Sequence, residues 1–275
     1  MTGVATERIE SPKNPRIKAL VRLHARRERE REGRTLVEGT RETSRALQAG
    51  VAIEAVYVAP AMLSPEGFEL RRALASAGVT TVEVTNEAFD RVSRRQGPDG
   101  VVAVIRPPER TLSMLDLPAD PLLLIAVDTE KPGNLGALIR SADAAGADAL
   151  LCVGGAGTDP WNPGVIRASM GSVFTLPVVA VDEAAARSWL RARDVPIVAT
   201  SPTAEVDVWD ADLKGPVAIV VGPEHEGLDG GWTDDAANRV RVPMRGAADS
   251  LNVSVTGALL LFEALRQRRD ARPTD

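Results

Sequence analysis

The sequence predicts an α/β protein of two domains, the second of which is built on a parallel sheet. The main observation is a set of continuous apolar runs, at residues 122–127, 149–153, 196–200 and 217–221. Runs without polar alternation are typical of strands that are buried on both faces. Segments of helical composition separate or follow these runs, at about residues 134–145, 164–170, 183–193 and 252–268. We therefore predict a parallel sheet covered by helices.

The first part of the chain has shorter apolar runs, which predict a smaller domain. These runs lie at residues 55–58, 80–84 and 101–105, and helical composition is found at residues 15–31, 40–49 and 69–77. Thr40 is a possible N-cap of the helix that begins there. The alternation predicts a small α/β domain over residues 1–106. Prolines then become frequent, so we predict a linker at 107–120 and a second domain over 121–275.

Composition excludes several classes of protein. No apolar stretch at the start has signal-peptide length, and no run approaches the roughly 18 apolar residues of a membrane span. We therefore expect a cytoplasmic protein with no membrane partner. The single cysteine, Cys152, cannot form an internal disulfide. His24 and His225 are far apart in sequence and have no neighbouring ligand cluster, so we expect no metal site.

The net charge of −5 hides an asymmetry between the two domains. Residues 1–106 contain 18 Lys and Arg against 14 Asp and Glu, whereas the remainder contains 15 against 24. The densest basic block lies between Lys13 and Arg34, and its candidate RNA-binding side chains are Lys13, Arg16, Arg22, Arg26 and Arg27. Two explanations stay open for this block, a solvated helix with alternating charges and a phosphate-binding face.

Three loops in the second domain carry the candidate functional residues. The first, EKPGNLGALIRSADAAG at residues 130–146, follows an apolar run and holds Asn134 and Arg140. Its glycines let a ligand approach the backbone closely at the start of a helix. A dinucleotide-binding oxidoreductase is the alternative, but the loop has only Gly-x-x-Gly and lacks the full G-x-G-x-x-G pattern.

The second loop, VVGPEHEGLDGG at residues 220–231, holds Glu224 and His225. A carboxylate there can orient a hydroxyl, and His225 is either a general base or an ordinary polar residue of a glycine-rich loop. The third, VPMRGAADSLN at residues 242–252, holds Ser250 and Asn252 before the last helix, where a helix N-cap is the alternative explanation. Along that helix we expect Val255, Leu259 and Phe262 to face the core.

Together the three loops resemble the signature motifs of the SpoU (TrmH) family of RNA ribose 2′-O-methyltransferases, in the SPOUT superfamily. The matching stretches are PGNLGALIRSA at 132–142, VGPEHEGL at 221–228 and VPMRGAADSLNVSV at 242–255. The resemblance covers residues 121–268, and Ser141 stands where the family often has Thr. Residues 1–106 resemble the family's amino-terminal substrate-binding extension of ribosomal-protein L30e type.

The resemblance implies a C-terminal SPOUT domain with a deep trefoil knot, formed as the last strand and helix thread through a loop. It also implies S-adenosyl-L-methionine as the cofactor. By motif position, Gly222, Val242 and Leu251 would bind the cofactor, and Thr200 and Ser201 would close the pocket. Members of the family act as homodimers, with the active site assembled at the subunit interface.

Methyl transfer requires a ribose 2′-hydroxyl in line with a sulfonium methyl, and it requires no metal. The family's site implies roles for Asn134, Arg140, Glu224, Ser250 and Asn252. The residue matching Arg140 is implicated in activating the hydroxyl. Because arginine stays protonated, we favour Arg140 as a group that binds the substrate phosphate and stabilises the developing alkoxide, with the proton acceptor left open.

The substrate that the amino-terminal extension favours is 23S ribosomal RNA, because family members with such an extension usually act on ribosomal RNA. Transfer RNA is the alternative substrate, and protection of the ribosome from an antibiotic is a more specialised hypothesis. Two further alternatives are a non-catalytic RNA-binding protein of the same fold and a base methyltransferase of the same superfamily. The joint presence of the five candidate catalytic residues argues against the non-catalytic protein.

Overall fold

The computed structural model describes residues 7–155, 157–223, 227–228 and 230–271. The chain divides into two compact units. The first contains Met1–Glu109 and Trp161–Phe174, and the second contains Arg110–Pro160 and Thr175–Asp275. The second unit thus begins inside the stretch that we predict to be a linker. Residues 161–174, which the sequence analysis placed in the second domain, pack with the first unit.

Helices and strands alternate along most of the chain. Up to Glu109 they are β1 (Arg8–Ile9), α1 (Pro15–Arg22), α2 (Arg26–Glu32), β2 (Thr35–Glu38), α3 (Thr40–Gln48), β3 (Ile53–Val58), α4 (Pro65–Ser76), β4 (Thr80–Val84), α5 (Asn86–Val92) and β5 (Val101–Ile105). Beyond it they are β6 (Leu122–Val127), α6 (Pro132–Ala144), β7 (Ala149–Val153), α7 (Pro163–Ala168), β8 (Val178–Val181), α8 (Glu183–Arg191), β9 (Ile197–Thr200), β10 (Val206–Asp207), β11 (Val217–Val221), α9 (Gly230–Asp234), β12 (Asn238–Arg241) and α10 (Val253–Ala271).

A mixed five-stranded sheet forms the centre of the first unit, in the order β1-β4-β3-β5-β2. Strands β1, β3 and β4 run parallel, and β5 is antiparallel to both of its neighbours. The hydrophobic core of the first unit is formed by buried side chains of the sheet and of the helices that cover it, including Ile17, Leu36, Tyr57, Val82 and Phe89. The sequence runs at 80–84 and 101–105 match β4 and β5. The prediction of a small α/β domain is confirmed.

The helix expected at residues 15–31 is instead two helices, α1 and α2. The break follows Arg22, and Arg29 folds back across it. Its Nη1 donates hydrogen bonds to the carbonyl oxygens of Leu23 and His24, at 3.2 and 2.8 Å. Carbonyls at a helix end lack partners within the helix, and a cation there satisfies them. Arg29 is therefore buried and belongs to the fold rather than to a basic surface.

Thr40 is the first residue of α3 and not its N-cap, so that prediction is wrong. Gly39 occupies the capping position and offers no side-chain oxygen. The backbone N–H of Thr40 instead donates to the Asp99 carboxylate at 2.8 Å. The Asp99 carboxylate, from another loop, thus accepts the hydrogen bond that an N-cap side chain would accept. It also adds a negative charge at the positive end of the helix.

A seven-stranded sheet forms the centre of the second unit, and every pairing in it is parallel. The strand order is β10-β12-β9-β11-β6-β7-β8. The prediction of a buried parallel sheet is confirmed, and β6, β7 and β11 have the expected bounds. The sequence analysis did not assign β8, β10 and β12. The edge strand β10 and its neighbour β12 are short and carry mostly polar residues, so they lack the apolar run that marks the central strands.

The last helix, α10, packs against α6 through a position without a side chain. A Cβ atom built on Gly257 would lie 2.4 Å from Leu138 Cδ2, so the two helices approach closely there. The expectation that Val255 and Phe262 face the core is wrong, since they are 46% and 48% exposed. The buried stripe instead contains Val253, Gly257, Leu260, Leu261 and Ala264. The small residue Gly257 lets α10 approach α6 closely, and the side chains on the same side of the helix are therefore the buried ones.

Polar side chains fasten the end of α10 to two loops. Gln267 donates to the carbonyl oxygen of Ala211 and accepts from the N–H of Leu213, both at 2.9 Å. Arg268 donates to the carbonyl oxygens of Asp120, Pro121, Leu213 and Gly215. These contacts hold the helix against the segments that precede β6 and β11.

The knot implied by the resemblance stays a prediction. Among the described helices, none combines the length and hydropathy of a bilayer crossing.

Glu42, on α3, is a buried carboxyl whose ionisation should destabilise the first unit. It is 5% exposed, and its Oε2 finds no hydrogen-bond partner among the described residues. Burial, with a smaller contribution from the charge of Asp99, raises the pKa of Glu42 above its ordinary value. The folded protein therefore binds this proton more tightly than the unfolded chain does, and stability falls as the pH rises above about 4.

We expect Glu42→Gln to raise the Tm of the first unit at pH 8, because the amide copies the protonated carboxyl. The difference from the wild type should shrink towards zero below about pH 4, where the unfolded chain also holds the proton. Thermal unfolding followed by circular dichroism across this pH range measures the effect. Glu69→Gln, at an exposed position of α4, is the control. A destabilised Glu42→Gln variant at pH 8 contradicts the expectation.

Gly257→Val should destabilise the second unit, because its side chain would overlap Leu138 in the α6–α10 contact. Overpacking of this kind costs about 1–3 kcal/mol in the free energy of unfolding. Denaturant unfolding monitored by tryptophan fluorescence measures the loss. Gly133→Ala on α6, where an added Cβ meets no atom of the described residues within 4 Å, is the matched control and should change little. Equal stability of the Gly257→Val variant and the wild type contradicts the close packing.

Candidate functional site

A cleft of about 1070 Å³ opens in the second unit, at the carboxyl ends of β9, β11 and β12. Carboxyl ends of parallel strands meet at one edge of a sheet, which is the usual place for a ligand in open α/β folds. The loop after β12 closes the cleft with residues 242–245 and 248–251. The cleft is also lined by Val253, Thr256 and Leu260 of α10.

The structure brings the five residues with an expected cofactor role into this one cleft. Its lining contains Thr200, Ser201, Gly222, Val242 and Leu251. They come from the ends of three different strands and from the loop before α10, so only the fold places them together. Ser250, with an expected catalytic role, lines the same cleft.

Main-chain contacts fix the wall at the end of β9. Thr200 Oγ1 donates to the carbonyl oxygen of Val220 at 3.0 Å. The N–H of Ser201 donates to the carbonyl oxygen of Val240 at 2.9 Å. These bonds tie β9 to the strands on both sides, beyond the end of the regular sheet. The wall is therefore set before any ligand binds.

Gly222 follows β11 at a point where the cleft wall has no room for a side chain. A Cβ atom there would lie 2.9 Å from Leu228 Cδ2 and 3.0 Å from the carbonyl carbon of Gly227. Any larger residue would have to displace the backbone of the loop as well as Leu228. Glycine at this position thus keeps the loop close to the end of the strand.

An ion pair that the sequence analysis missed lies in the cleft lining. Arg241 Nε is 2.7 Å from Asp207 Oδ1, and both side chains are partly exposed. Arg245 and Asp249 add two further exposed charges to the lining. Arg241 directly precedes the third motif and was within reach of sequence reasoning. Asp207 was not, because β10 has only two residues and no apolar pattern.

Two asparagines join the first and third motifs. Asn252 Nδ2 donates to Asn134 Oδ1 at 3.2 Å, across 118 positions of sequence. Asn252 Oδ1 also accepts from the N–H and the hydroxyl of Ser254, at 3.0 and 2.6 Å. Asn252 therefore caps the start of α10 and contacts the first motif with the same side chain, so the capping explanation holds and the catalytic role stays a prediction.

Arg140 lies apart from the cleft of its own chain. It is exposed on α6 and is not among the lining residues. Within the described part of the chain, its guanidinium has no hydrogen-bond or ion-pair partner. Glu224 and His225 lie outside the described residues. Of the expected catalytic residues, the structure thus brings Asn134 to Asn252 and places Ser250 in the cleft.

The expected RNA-binding residues of the first unit are a mixture of paired and unpaired cations. Arg16 contacts Glu7 at 2.6 Å, which raises the pKa of Arg16, and its guanidinium lies 5.5 Å from the centre of the Tyr57 ring. Arg26 pairs with Glu30 at 2.7 Å, and Arg22 lies 3.9 Å from Glu28. Lys13 and Arg27 are exposed and have no carboxylate partner among the described residues.

Metal binding has no structural support in the described part of the chain, where no group of three or more His, Cys, Asp or Glu side chains could hold an ion. Cys152 is the free cysteine of β7, and burial raises its pKa to about 12. A thiol with so high a pKa is a poor nucleophile at neutral pH.

Comparison with known proteins identifies relatives along almost the whole chain. Residues 121–262 match the SpoU rRNA Methylase family, and residues 14–103 match the MRM3-like substrate binding domain. The 23S rRNA (uridine(2479)-2′-O)-methyltransferase of Streptomyces viridochromogenes is 32% identical, over 91% of this chain and 88% of its own. The 23S rRNA (guanosine(2553)-2′-O)-methyltransferase of Bacillus subtilis is 30% identical, over 93% and 98%.

Solved structures show the same architecture. A crystal structure of an RNA 2′-O ribose methyltransferase is 50% identical and superposes with a TM-score of 0.86, covering 95% of this chain and 99% of its own. The SpoU methyltransferase AviRb from Streptomyces viridochromogenes, solved in complex with the cofactor AdoMet, is 31% identical with a TM-score of 0.85. That comparison covers 94% of this chain and 100% of AviRb.

Proposed function

This chain belongs to the SpoU rRNA methylase family, and from that premise we propose that it methylates a ribose 2′-hydroxyl of 23S ribosomal RNA. It is an S-adenosylmethionine-dependent RNA 2′-O-methyltransferase. The observation that carries the proposal is the single cleft that gathers the residues of three separated segments next to the Asn134–Asn252 contact. A ribosomal RNA substrate implies a cytoplasmic protein.

The cleft suits S-adenosylmethionine in size and in chemistry. Gly222, Val242 and Leu251 would hold the cofactor, and the absence of a side chain at Gly222 lets the loop at Gly227 and Leu228 pack closely against that wall of the cleft. Asp207, Arg241 and Asp249 offer charges of both signs, which a cofactor with an ammonium, a carboxylate and a sulfonium requires. When bound, S-adenosylmethionine supplies an electrophilic methyl group.

The residues around the cleft then have to position the ribose and let its proton leave. Asn134 and Asn252 form a rigid pair at the junction of α6 and α10, where amide groups can orient a hydroxyl. Ser250 lies in the cleft lining close to that pair in sequence. Arg140 binds the neighbouring phosphate and stabilises the negative charge that develops on the 2′-oxygen as the oxygen–methyl bond forms. We assign Glu224 a supporting role in shaping the site, by motif position alone.

A homodimer would complete this site. The exposed face of α10 carries Val255, Phe262 and Leu265, which are 46%, 48% and 39% exposed. Such large apolar residues on one face of a helix are typical of a protein interface. The adjacent helix α6 displays Arg140 away from its own cleft. We infer that a second copy covers the α10 face and that each subunit supplies Arg140 to its partner's cleft.

Methyl transfer from labelled S-adenosylmethionine to unmodified RNA tests the proposed activity. We expect incorporation into in vitro transcribed 23S rRNA and none into transfer RNA, with an alkali-resistant linkage at a single nucleotide. Resistance to alkali separates ribose methylation from base methylation, because a methylated 2′-oxygen cannot attack the neighbouring phosphate. Absence of incorporation into both RNAs, together with no calorimetric binding of the cofactor, contradicts the proposal and favours a non-catalytic RNA-binding protein.

Arg140→Lys should lower kcat about 10–100-fold, because lysine keeps the charge but loses the two-pronged contact with phosphate. The affinity for S-adenosylmethionine, measured by calorimetry, should stay unchanged because Arg140 is assigned to the substrate phosphate and not to the cofactor. Single-turnover methyl transfer at saturating cofactor measures the rate. Full activity of the lysine variant refutes the role assigned to Arg140.

Mixing two inactive chains tests whether Arg140 acts in the partner's site. Arg140→Ala lacks the arginine, and Gly222→Val displaces the loop at Gly227 and Leu228 that forms one wall of the cleft. A mixed dimer should regain activity that neither variant has alone, because one of its two sites then combines an intact cleft with an intact arginine. If mixed dimers form and no activity returns, Arg140 acts within its own chain.

Phe262→Glu should separate the dimer, because it places a charge in the centre of the apolar face of α10. Light scattering should then give the mass of a single 29.2 kDa chain instead of about twice that value. Phe68→Glu, at a phenylalanine of the first unit with 46% exposure, is the matched control and should stay dimeric. A wild-type protein that is monomeric at micromolar concentration refutes the dimer.

A further inference from the structure

Two cations at the end of α5 and in the loop that follows it, residues 93–99, have no carboxylate partner among the described residues. Arg94 in this loop and Arg91 at the end of α5 are exposed. Within the described part of the chain, neither guanidinium has a carboxylate within 4.0 Å. This contrasts with Arg22, Arg26 and Arg31 on the first two helices, which have glutamate neighbours. Unpaired cations attract an external anion more strongly than paired ones.

Two carboxylates hold the backbone of this loop in place. Glu38, at the end of β2, is only 4% exposed. It accepts hydrogen bonds from the hydroxyl of Ser93 and from the backbone N–H groups of Arg94 and Arg95, the last two at 3.5 and 3.2 Å. Asp99 closes the loop, since it accepts from the N–H of Thr40 and lies 3.6 Å from Arg95.

A buried carboxylate is costly unless it is hydrogen-bonded or paired with a cation. The loop supplies three hydrogen bonds to Glu38, and Arg167 lies 3.8 Å from the carboxylate. The backbone of the loop is thereby tied to the end of β2. Arg94 and Gln96 are exposed on that loop. A fixed backbone lowers the entropy that is lost when such side chains bind a ligand.

His24 connects this loop to the basic segment of the first two helices. It lies between α1 and α2, and its Nε2 is 2.8 Å from the carbonyl oxygen of Val92 at the end of α5. Burial lowers the pKa of His24 from its ordinary value, and the hydrogen bond with Val92 opposes this shift. The contact joins the turn between α1 and α2 to the end of α5.

We propose that Arg94, on the loop that Glu38 positions, and Arg91, at the end of α5, bind phosphates of the RNA substrate. The occupant is RNA because a guanidinium on a preformed backbone suits the two-oxygen face of a phosphate, and an RNA strand offers phosphates to more than one cation. This inference rests on the proposed function, since it assigns the RNA contact of the same methyltransferase.

The double variant Arg91→Ala/Arg94→Ala tests the contact. The probe is in vitro transcribed, unmodified 23S rRNA, with the Kd measured by filter binding at several salt concentrations. We expect the Kd to rise about tenfold or more and the slope of log K against log salt to fall by about 1–2, one phosphate per arginine. The thermal transition and the calorimetric affinity for S-adenosylmethionine should match those of the wild type.

The matched control is Arg8→Ala/Arg72→Ala, which removes two charges from exposed positions of the same unit. It should leave the salt slope and the methyl transfer rate at wild-type values. If the control lowers the slope as much as the Arg91/Arg94 variant, the effect comes from net charge and the specific contact is wrong. If the Arg91/Arg94 variant binds with the wild-type Kd and slope, the contact is also wrong.

Glu38→Gln separates positioning from stability. In the wild-type background it should weaken RNA binding, because an amide accepts fewer hydrogen bonds from the loop. In the Arg91→Ala/Arg94→Ala background it should change RNA binding no further, because the side chains that it positions are gone. Equal weakening in both backgrounds refutes the positioning role.

The outcomes distinguish this inference from the proposed function. A wild-type protein that neither binds nor methylates 23S rRNA overturns the function itself. A wild-type protein that methylates 23S rRNA, together with an Arg91/Arg94 variant that binds as the wild type does, overturns only the contact assigned to the loop.

Discussion

The close approach of α10 to α6 is the constraint on which the cleft of the second unit depends. Gly257 faces Leu138 without a side chain between them, which lets the two helices meet near their first turns. Asn252 and Asn134 lie at those first turns and reach each other there. A bulkier residue at Gly257 would move the start of α10, and with it the loop that lines the cleft. Helix packing and site geometry are therefore one requirement.

The central strands were predictable from the sequence because their signals are local and dense. Runs such as Leu122–Val127 and Val217–Val221 are apolar throughout, which only a strand buried on both faces requires. The break near His24 was not predictable, because residues 15–31 have helical composition on both sides and the reason for the break is Arg29 folding back. The prediction that Phe262 faces the core was wrong because helical periodicity identifies an apolar stripe on a helix but does not identify what packs against that stripe.

The site shows the same division between local and distant causes. Asn252 was found because it stands at a helix start within a recognisable motif. Its partner Asn134 lies 118 positions earlier, and no spacing rule links the two. Asp207 was missed because a two-residue edge strand has no pattern of its own. Sequence reasoning thus identifies candidates that lie in a recognisable motif, and it misses a residue such as Asp207, whose short strand carries no pattern.

The segment Trp161–Phe174 shows why the two units cannot be treated as separable modules. It lies inside the stretch that matches the methyltransferase family, yet it packs with the first unit. Val165, Ile166 and Val173 are fully buried there, and Arg45 donates to the carbonyl oxygen of Met170. A chain cut at the predicted linker would leave these apolar side chains without their packing partners. The chain crosses between the units at residues 109–110, 160–161 and 174–175, so the linker is only one of three covalent connections.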